Sequence, residues 1–308
     1  MTKEEFIYTS RDGATGIHAI SWAPDGEVRG VLQIIHGMIE FIDRYDRFAK
    51  FMTENGFYVV GNDHLGHGKS VIDADAYGYF AHPKGNECVI SDIRNLHRRT
   101  AEKYPGVPYF MLGHSMGSFL VRQYMTLFGA ELSGVIVMGT GSQPAAVLKL
   151  GTLLARASAK RHGWHYRSAA LQNMALGSNN KPFEPARTPA DWLTKDEAIV
   201  DAYLANPWNT FMFTVNGYYE MFRGIEWAQN RAYLRKIPKE LPVLFVSGQN
   251  DPVGDMGKGV QKAFRELSRC GIRDLQMKLY PDDRHELLNE TDHDVVDADL
   301  LTWIEARL

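Results

Sequence analysis

An apolar run, Val107-Pro108-Tyr109-Phe110-Met111-Leu112, enters Gly113-His114-Ser115-Met116-Gly117, and residues 118–128 leave it with apolar side chains at helical spacing. The first segment reads as a buried strand and the last as a helix stopped by Gly129. A strand that becomes a helix across five residues points to layered α/β architecture. It is also the setting in which G-x-S-x-G holds a serine on a sharp, exposed turn, where flanking side chains find no room. In a chain with 28 glycines the pentapeptide alone is weak, and a serine that merely caps the helix competes with it. The surrounding pattern decides.

That pattern is strand–helix alternation. Residues 6–9 and 16–22 flank the turn signal Arg11-Asp12-Gly13 and read as a hairpin. Residues 28–35 form a near-continuous apolar strand, as expected inside a parallel sheet buried on both faces. A helix over 43–55, a strand over 57–60, a helix over 87–103 and a strand over 134–138 continue the series. From about residue 142 to about 223 the rhythm gives way to helical, aromatic sequence. A strand over 241–247, a helix over 254–269, a strand over 275–280 and a helix over 294–307 close the chain. The expected fold class is α/β: a mostly parallel central sheet flanked by helices, its core formed by residues 1–142 and 223–308. Residues 143–222 are expected as a helical cap inserted above the strand ends, where such sheets bind ligands.

A serine hydroxyl is a weak nucleophile near neutral pH and needs a base within reach. Histidine suits the task when a carboxylate fixes its tautomer. On such a scaffold the acid and then the histidine follow the serine in the chain, each just past a strand. Two later loops qualify, Gly248-Gln249-Asn250-Asp251-Pro252 and Pro281-Asp282-Asp283-Arg284-His285-Glu286. Ser115 is therefore expected as nucleophile, His285 as base and Asp251 as orienting acid, with Asp255 the alternative acid. Read alone, His285 would be a loop histidine paired with Asp282 or Asp283. An oxyanion hole needs two preorganised N–H groups. Met116, after the nucleophile, and Met38, in the loop closing strand 28–35, are the expected donors.

The run His36-Gly37-Met38, with Glu40 and Arg44-Tyr45, resembles the monoacylglycerol lipase and lysophospholipase branch of the α/β-hydrolase superfamily. So do Asp63-His64-Leu65-Gly66-His67-Gly68-Lys69-Ser70, the Ser115 pentapeptide, Asp191-Trp192-Leu193-Thr194-Lys195-Asp196, and Arg284-His285-Glu286-Leu287-Leu288-Asn289-Glu290. The resemblance implies an α/β-hydrolase fold with a lid, serine-hydrolase activity, and a small-molecule substrate such as a monoacylglycerol or lysophospholipid. It departs from the family at Ile39 and Phe41, which flank Glu40 where small residues and a histidine are usual. Glu40 and Arg44 are expected at the substrate head group, with His114, Trp192, Phe211 and Phe213 along the pocket. An amide-cleaving peptidase on the same scaffold is one rival. A silent binding protein is the other, and it predicts a damaged triad, whereas all three residues are present.

Other signals are set aside. A formal net charge of −3, with signs interspersed, gives no nucleic-acid footprint. Gly68-Lys69-Ser70 resembles the end of a phosphate-binding loop, but position 63 is Asp where glycine is required. Asp63, His64 and His67 have a spacing that can ligate metal, yet no second cluster completes a site. Gly139-Thr140-Gly141 lacks the third glycine of a dinucleotide site, so no cofactor is expected. The acidic start Met1-Thr2-Lys3-Glu4-Glu5 and the isolated Cys88 and Cys270 suggest a cytoplasmic protein. Within the insertion, Val147, Leu150, Leu154 and Ala157 share one helical face. Packing of that face onto the core is expected, with transient contact with a membrane or micelle surface as the alternative.

Overall fold

The computed structural model describes residues 1–308 and contains one eight-stranded sheet, ordered β1-β2-β4-β3-β5-β6-β7-β8. β1 (Thr2–Thr9) and β2 (Gly16–Ala23) form the expected hairpin, and β2 pairs antiparallel with β4 (Phe57–Asn62). All further pairs are parallel, through β3 (Gly30–Ile35), β5 (Tyr109–His114), β6 (Gly134–Met138), β7 (Val243–Gly248) and β8 (Leu275–Tyr280). Every residue of β3 to β7 is buried, so these strands appear in sequence as largely unbroken apolar runs. β8, at the edge, alternates partly buried and exposed residues instead.

Three helices precede the long crossover: α1 (Asp46–Glu54), α2 (Gly85–Lys103) and α3 (Met116–Phe128). The crossover between β6 and β7 carries α4 (Ala145–His162), α5 (Ala169–Leu176), α6 (Glu197–Ala205), α7 (Val215–Gln229) and α8 (Arg231–Leu234). α9 (Lys258–Arg269) and α10 (His293–Glu305) complete the fold. Strand alternation sends Val31 and Ile35 of β3 into one core with α2, α3 and α9, and Leu32 and Ile34 into another with α1 and α10. Fully burying each such side chain contributes about 1.5–3 kcal/mol.

Three expectations change. The helix expected from 254 starts at Lys258, because Asp255, Met256 and Gly257 take left-handed φ values of 49°, 50° and 82°. The cap boundary expected at 222/223 falls inside the continuous helix α7, which packs against α2, α3 and α4. On α4 the apolar face expected to pack inward faces out: Val147, Leu150 and Leu154 are 42%, 51% and 44% exposed, and Ala157 is exposed too. Its buried side consists instead of Leu148, Gly151, Ala155 and Ala159. Gly151 sits so close to Met174 and Phe222 that a Cβ would lie 2.7 Å from each, so small residues set this interface. No helix is long and apolar enough to cross a membrane.

Candidate active site

The parallel strands all end at one rim of the sheet, and the residues singled out by sequence gather there. Ser115 joins β5 to α3 with φ 53° and ψ −119°, a conformation costly for a residue with a side chain. The turn closes tightly enough that a Cβ on Gly117 would lie 2.0 Å from the Ile35 carbonyl oxygen. The strain exposes the hydroxyl at the N-terminus of α3, where helix polarity favours developing negative charge. Neither the Met116 amide nor the Met38 amide donates to any protein acceptor.

His285 lies past β8 and Asp251 past β7, and both are buried. His285 Nδ1 is 3.0 Å from Asp251 Oδ2. Asp251 Oδ1 accepts the Val253 amide at 2.9 Å and Oδ2 the Ser247 hydroxyl at 3.3 Å, which fix the carboxylate toward the ring. Asp255, the alternative acid, is exposed at the cavity mouth, while Asp283 pairs with Lys195 Nζ at 2.6 Å. Ser115 and His285 line one cavity of about 420 Å³. Their side chains are not hydrogen-bonded to each other in this conformation, a looseness common before substrate binds.

The other expected residues divide. Trp192 lines the cavity with its ring 5.0 Å from that of His285. Phe211 and Phe213 do not line it: both pack on His67, and Phe213 is fully buried against Phe80 and Tyr218. Aromatic density drew them toward the pocket in sequence; Phe213 completes a core beneath the rim, and half-buried Phe211 lines a neighbouring cavity that shares Trp192 and Tyr203 with that of Ser115. Glu40 and His114 line the Ser115 cavity, Arg44 does not, and the polar groups of all three are engaged within the protein. Glu40 accepts from the Gly37 amide, Tyr45 Oη at 3.1 Å and Arg44 at 3.1 Å, and its Oε1 is 2.9 Å from His114 Nδ1. Arg44 forks onto Glu286 with two contacts of 2.7 Å. Burial opposes ionisation of Glu286, yet Arg44 outweighs it and draws the carboxyl down to about 2. His114 likewise has both ring nitrogens engaged inside the protein, with Nε2 3.3 Å from the His285 carbonyl oxygen.

Sequence reasoning missed the residues that hold the rim loops. Ile39, at φ 57°, offers its carbonyl to Tyr203 Oη at 3.2 Å and Asn209 Nδ2 at 2.9 Å. Glu286 N–H donates to the Leu193 carbonyl at 2.7 Å, and Arg284 Nη1 donates to the carbonyls of Asp191 and Thr194. The available signal was the opposite charge of Arg44 and Glu286 in two motif runs far apart in the chain. His64 and His67 do not gather with Asp63 into a ligand set; they are buried rings packed against His36, His64 tilted at 4.0 Å and His67 edge-on at 5.2 Å.

Fold and rim together define a serine hydrolase of the lipase and esterase type. Residues 26–292 match the family described as Serine aminopeptidase, S33, and the chain belongs to that α/β-hydrolase family. Over its whole length it is 26% identical to a monoacylglycerol lipase of Mycolicibacterium smegmatis, 99% of which is covered. The monoglyceride lipase of Rattus norvegicus is also 26% identical, over 93% of this chain and 86% of the relative. A thermostable carboxyl esterase from Bacillus coagulans, solved with glycerol, superposes with a TM-score of 0.93 at 30% identity, covering 100% of this chain and 99% of its own.

Proposed function

We propose that the chain hydrolyses single-chain carboxylic esters, monoacylglycerols foremost and lysophospholipids next, through an acyl-enzyme on Ser115. His285 takes the Ser115 proton as the hydroxyl oxygen attacks the acyl carbon, and Asp251 stabilises the resulting imidazolium. The Met38 and Met116 amides receive the negative charge that develops on the carbonyl oxygen. Collapse expels the alcohol with the proton from His285, and a water deprotonated by the same imidazole then clears the acyl group.

The observation that carries this reading is the shared cavity. Ser115 and His285 open onto walls of Phe119, Leu148, Met174, Leu176, Phe222 and Ile225, which suit one acyl chain. The family description names a peptidase whereas the relatives' names are those of lipases, so the cavity's charges matter. An aminopeptidase needs a free carboxylate for the substrate ammonium; Glu40 and Glu286 are already balanced by His114 and Arg44, which leaves Asp255, exposed at the cavity mouth, as the carboxylate such a substrate would have to use. The exposed apolar side of α4 supports transient contact with a lipid surface that presents such esters. The free, buried Cys88 and Cys270 support a reducing, cytoplasmic setting.

Labelling with a fluorophosphonate, lost in Ser115→Ala, tests the nucleophile. Turnover of monoacylglycerols, lysophospholipids and p-nitrophenyl esters should exceed that of aminoacyl amides, and faster amide cleavage would reverse the assignment.

A further inference from the structure

His114 closes a buried ring of charge beneath Ser115. Its Nδ1 lies 2.9 Å from Glu40 Oε1, and its Nε2 lies 3.3 Å from the main-chain oxygen of His285. A carbonyl oxygen can only accept. Glu40 is an acceptor as well, since its oxygens also face the Tyr45 hydroxyl, the Arg44 guanidinium and the Gly37 amide. A neutral imidazole carries one N–H and one lone pair, so it would turn that lone pair against one of these oxygens. Only the doubly protonated ring satisfies both contacts.

Charge balance gives the same answer independently. Glu40 and Glu286 bring two negative charges and Arg44 one positive charge, all held within 3.1 Å contacts, the carboxylates buried and the Arg44 side chain 11% exposed. The set reaches neutrality when His114 carries the fourth charge, and a buried unbalanced charge is strongly unfavourable. The remaining titratable neighbours do not supply it. Burial pushes the Tyr45 and Tyr203 hydroxyls up, which keeps them neutral, with Tyr203 stacked on Arg44 at 5.0 Å. His36 is neutral: Nδ1 donates to the Gly37 carbonyl, Nε2 accepts the His64 amide, and burial holds it well below the usual range. His285, with its ring 4.8 Å from that of His114, is engaged by Asp251. Burial works against charge on His114, but Glu40, Glu286 and the His285 carbonyl outweigh it and keep the ring above the usual imidazole range.

We propose that His114 is a standing imidazolium and a positioning residue, whose two N–H groups fix the His285 main chain to the Glu40 loop that carries Met38. Its positioning role rests on the reading of Ser115 and His285 as the reacting pair; its protonation state does not. The ring closes through both partners, since Glu40 also binds Arg44 and Arg44 binds Glu286, the residue after His285. The base and one expected oxyanion donor are thereby set relative to each other.

Nitrogen-15 NMR of histidine-labelled enzyme, with the His114 signals assigned by their loss in His114→Asn, reads the protonation directly. Two protonated ring nitrogens are expected at neutral pH, although an ordinary histidine titrates near 6.5. A single neutral tautomer at neutral pH, or a titration near 6.5, overturns the charge assignment. His114→Asn should lower kcat about ten- to a hundred-fold through loss of alignment, with KM for a short soluble ester little changed. Unchanged kcat overturns the positioning role. Glu40→Gln removes the charge that sustains the imidazolium, so kcat should acquire an additional ionisation that the wild type lacks. If that variant does not fold, the wild-type spectrum still decides. Failure of the wild type to label with fluorophosphonate would sink the hydrolase reading and leave the spectrum untouched.

Discussion

The two sides of the roof over Ser115 are held in opposite ways. Residues 191–209 are bonded to the rim: Leu193 to Glu286, Lys195 to Asp283, and Tyr203 and Asn209 to Ile39. α4 and α5 make no hydrogen bond to a rim loop and pack through Leu148, Gly151 and Ala155 while Leu150 and Leu153 face out. Hydrogen bonds are directional, so the first side cannot shift without dragging the His285 loop. Apolar contact is not directional, so the second side can slide at smaller cost. Substrate entry is therefore expected under α4 and α5, with residues 191–209 acting as fixed structure.

The largest effect should come from the fixed side. Asp251→Asn should cut kcat by about 10⁴-fold, because the amide no longer holds His285 in the required tautomer. Asp255→Asn, at the exposed mouth, should change kcat less than about twofold, as surface substitutions usually do little. Comparable losses in both would mean that the Asp251–His285 contact does not organise the site.

Acid should attack the core beneath the rim. Burial holds His64 down near 3 and His67 down near 4, below the ordinary 6.5. Their neutral forms support the fold fully above pH 6.5, and that support is lost as pH falls, because the unfolded chain then binds more protons. His67 sits among Phe80, Phe211 and Phe213 with Nε2 unpartnered, so phenylalanine fits its place. His67→Phe should flatten the dependence of unfolding free energy on pH between about 4.5 and 6 by about 1 kcal/mol per pH unit, somewhat less than the value of one full proton. Denaturant titrations at several pH values would measure it. An unchanged slope would show that His67 binds protons equally when folded and unfolded.

How far these features were legible depends on how local their causes are. The elbow, the parallel strands and the Asp251 and His285 loops could be read because each follows from apolar runs and strand-end spacing. The fate of Glu40, Arg44 and His114 could not, because Arg44 depends on Glu286, 242 residues along the chain, and His114 on Glu40 and the His285 carbonyl, 74 and 171 residues away. The orientation of α4 was misread for a physical reason. Its larger side chains suggested an inward face, whereas close approach to α7 selects Gly151 and Ala155 and leaves the leucines outside. Phe213 shows the converse, since an aromatic residue expected at a pocket from sequence can still fill a core.

A smaller effect separates structural support from positioning. Lys195→Ala removes the partner of buried Asp283, whose Oδ2 already lacks one. Lys195 is partly exposed, so the loss is discounted to about 1–2 kcal/mol of stability. If residues 191–196 position the His285 loop, kcat should fall along with Tm, by about tenfold. A lower Tm with full kcat would reduce the segment to a brace.

The smallest effect on the folded protein should come from α4, and it is the most informative about access. Leu150→Ser and Leu154→Ser act at side chains that are 51% and 44% exposed. Unfolding free energy should stay within about 0.5 kcal/mol of wild type, as expected for surface positions. Turnover of a short soluble ester should be unchanged, since neither leucine lines the Ser115 cavity. Adsorption to phosphatidylcholine vesicles, and turnover of long-chain monoacylglycerol carried in them, should both weaken, because each lost leucine forfeits apolar burial in the interface. If vesicle adsorption were unaffected while soluble turnover fell, the outward face of α4 would belong to the catalytic conformation, and the contrast between a fixed and a sliding side of the roof would fail.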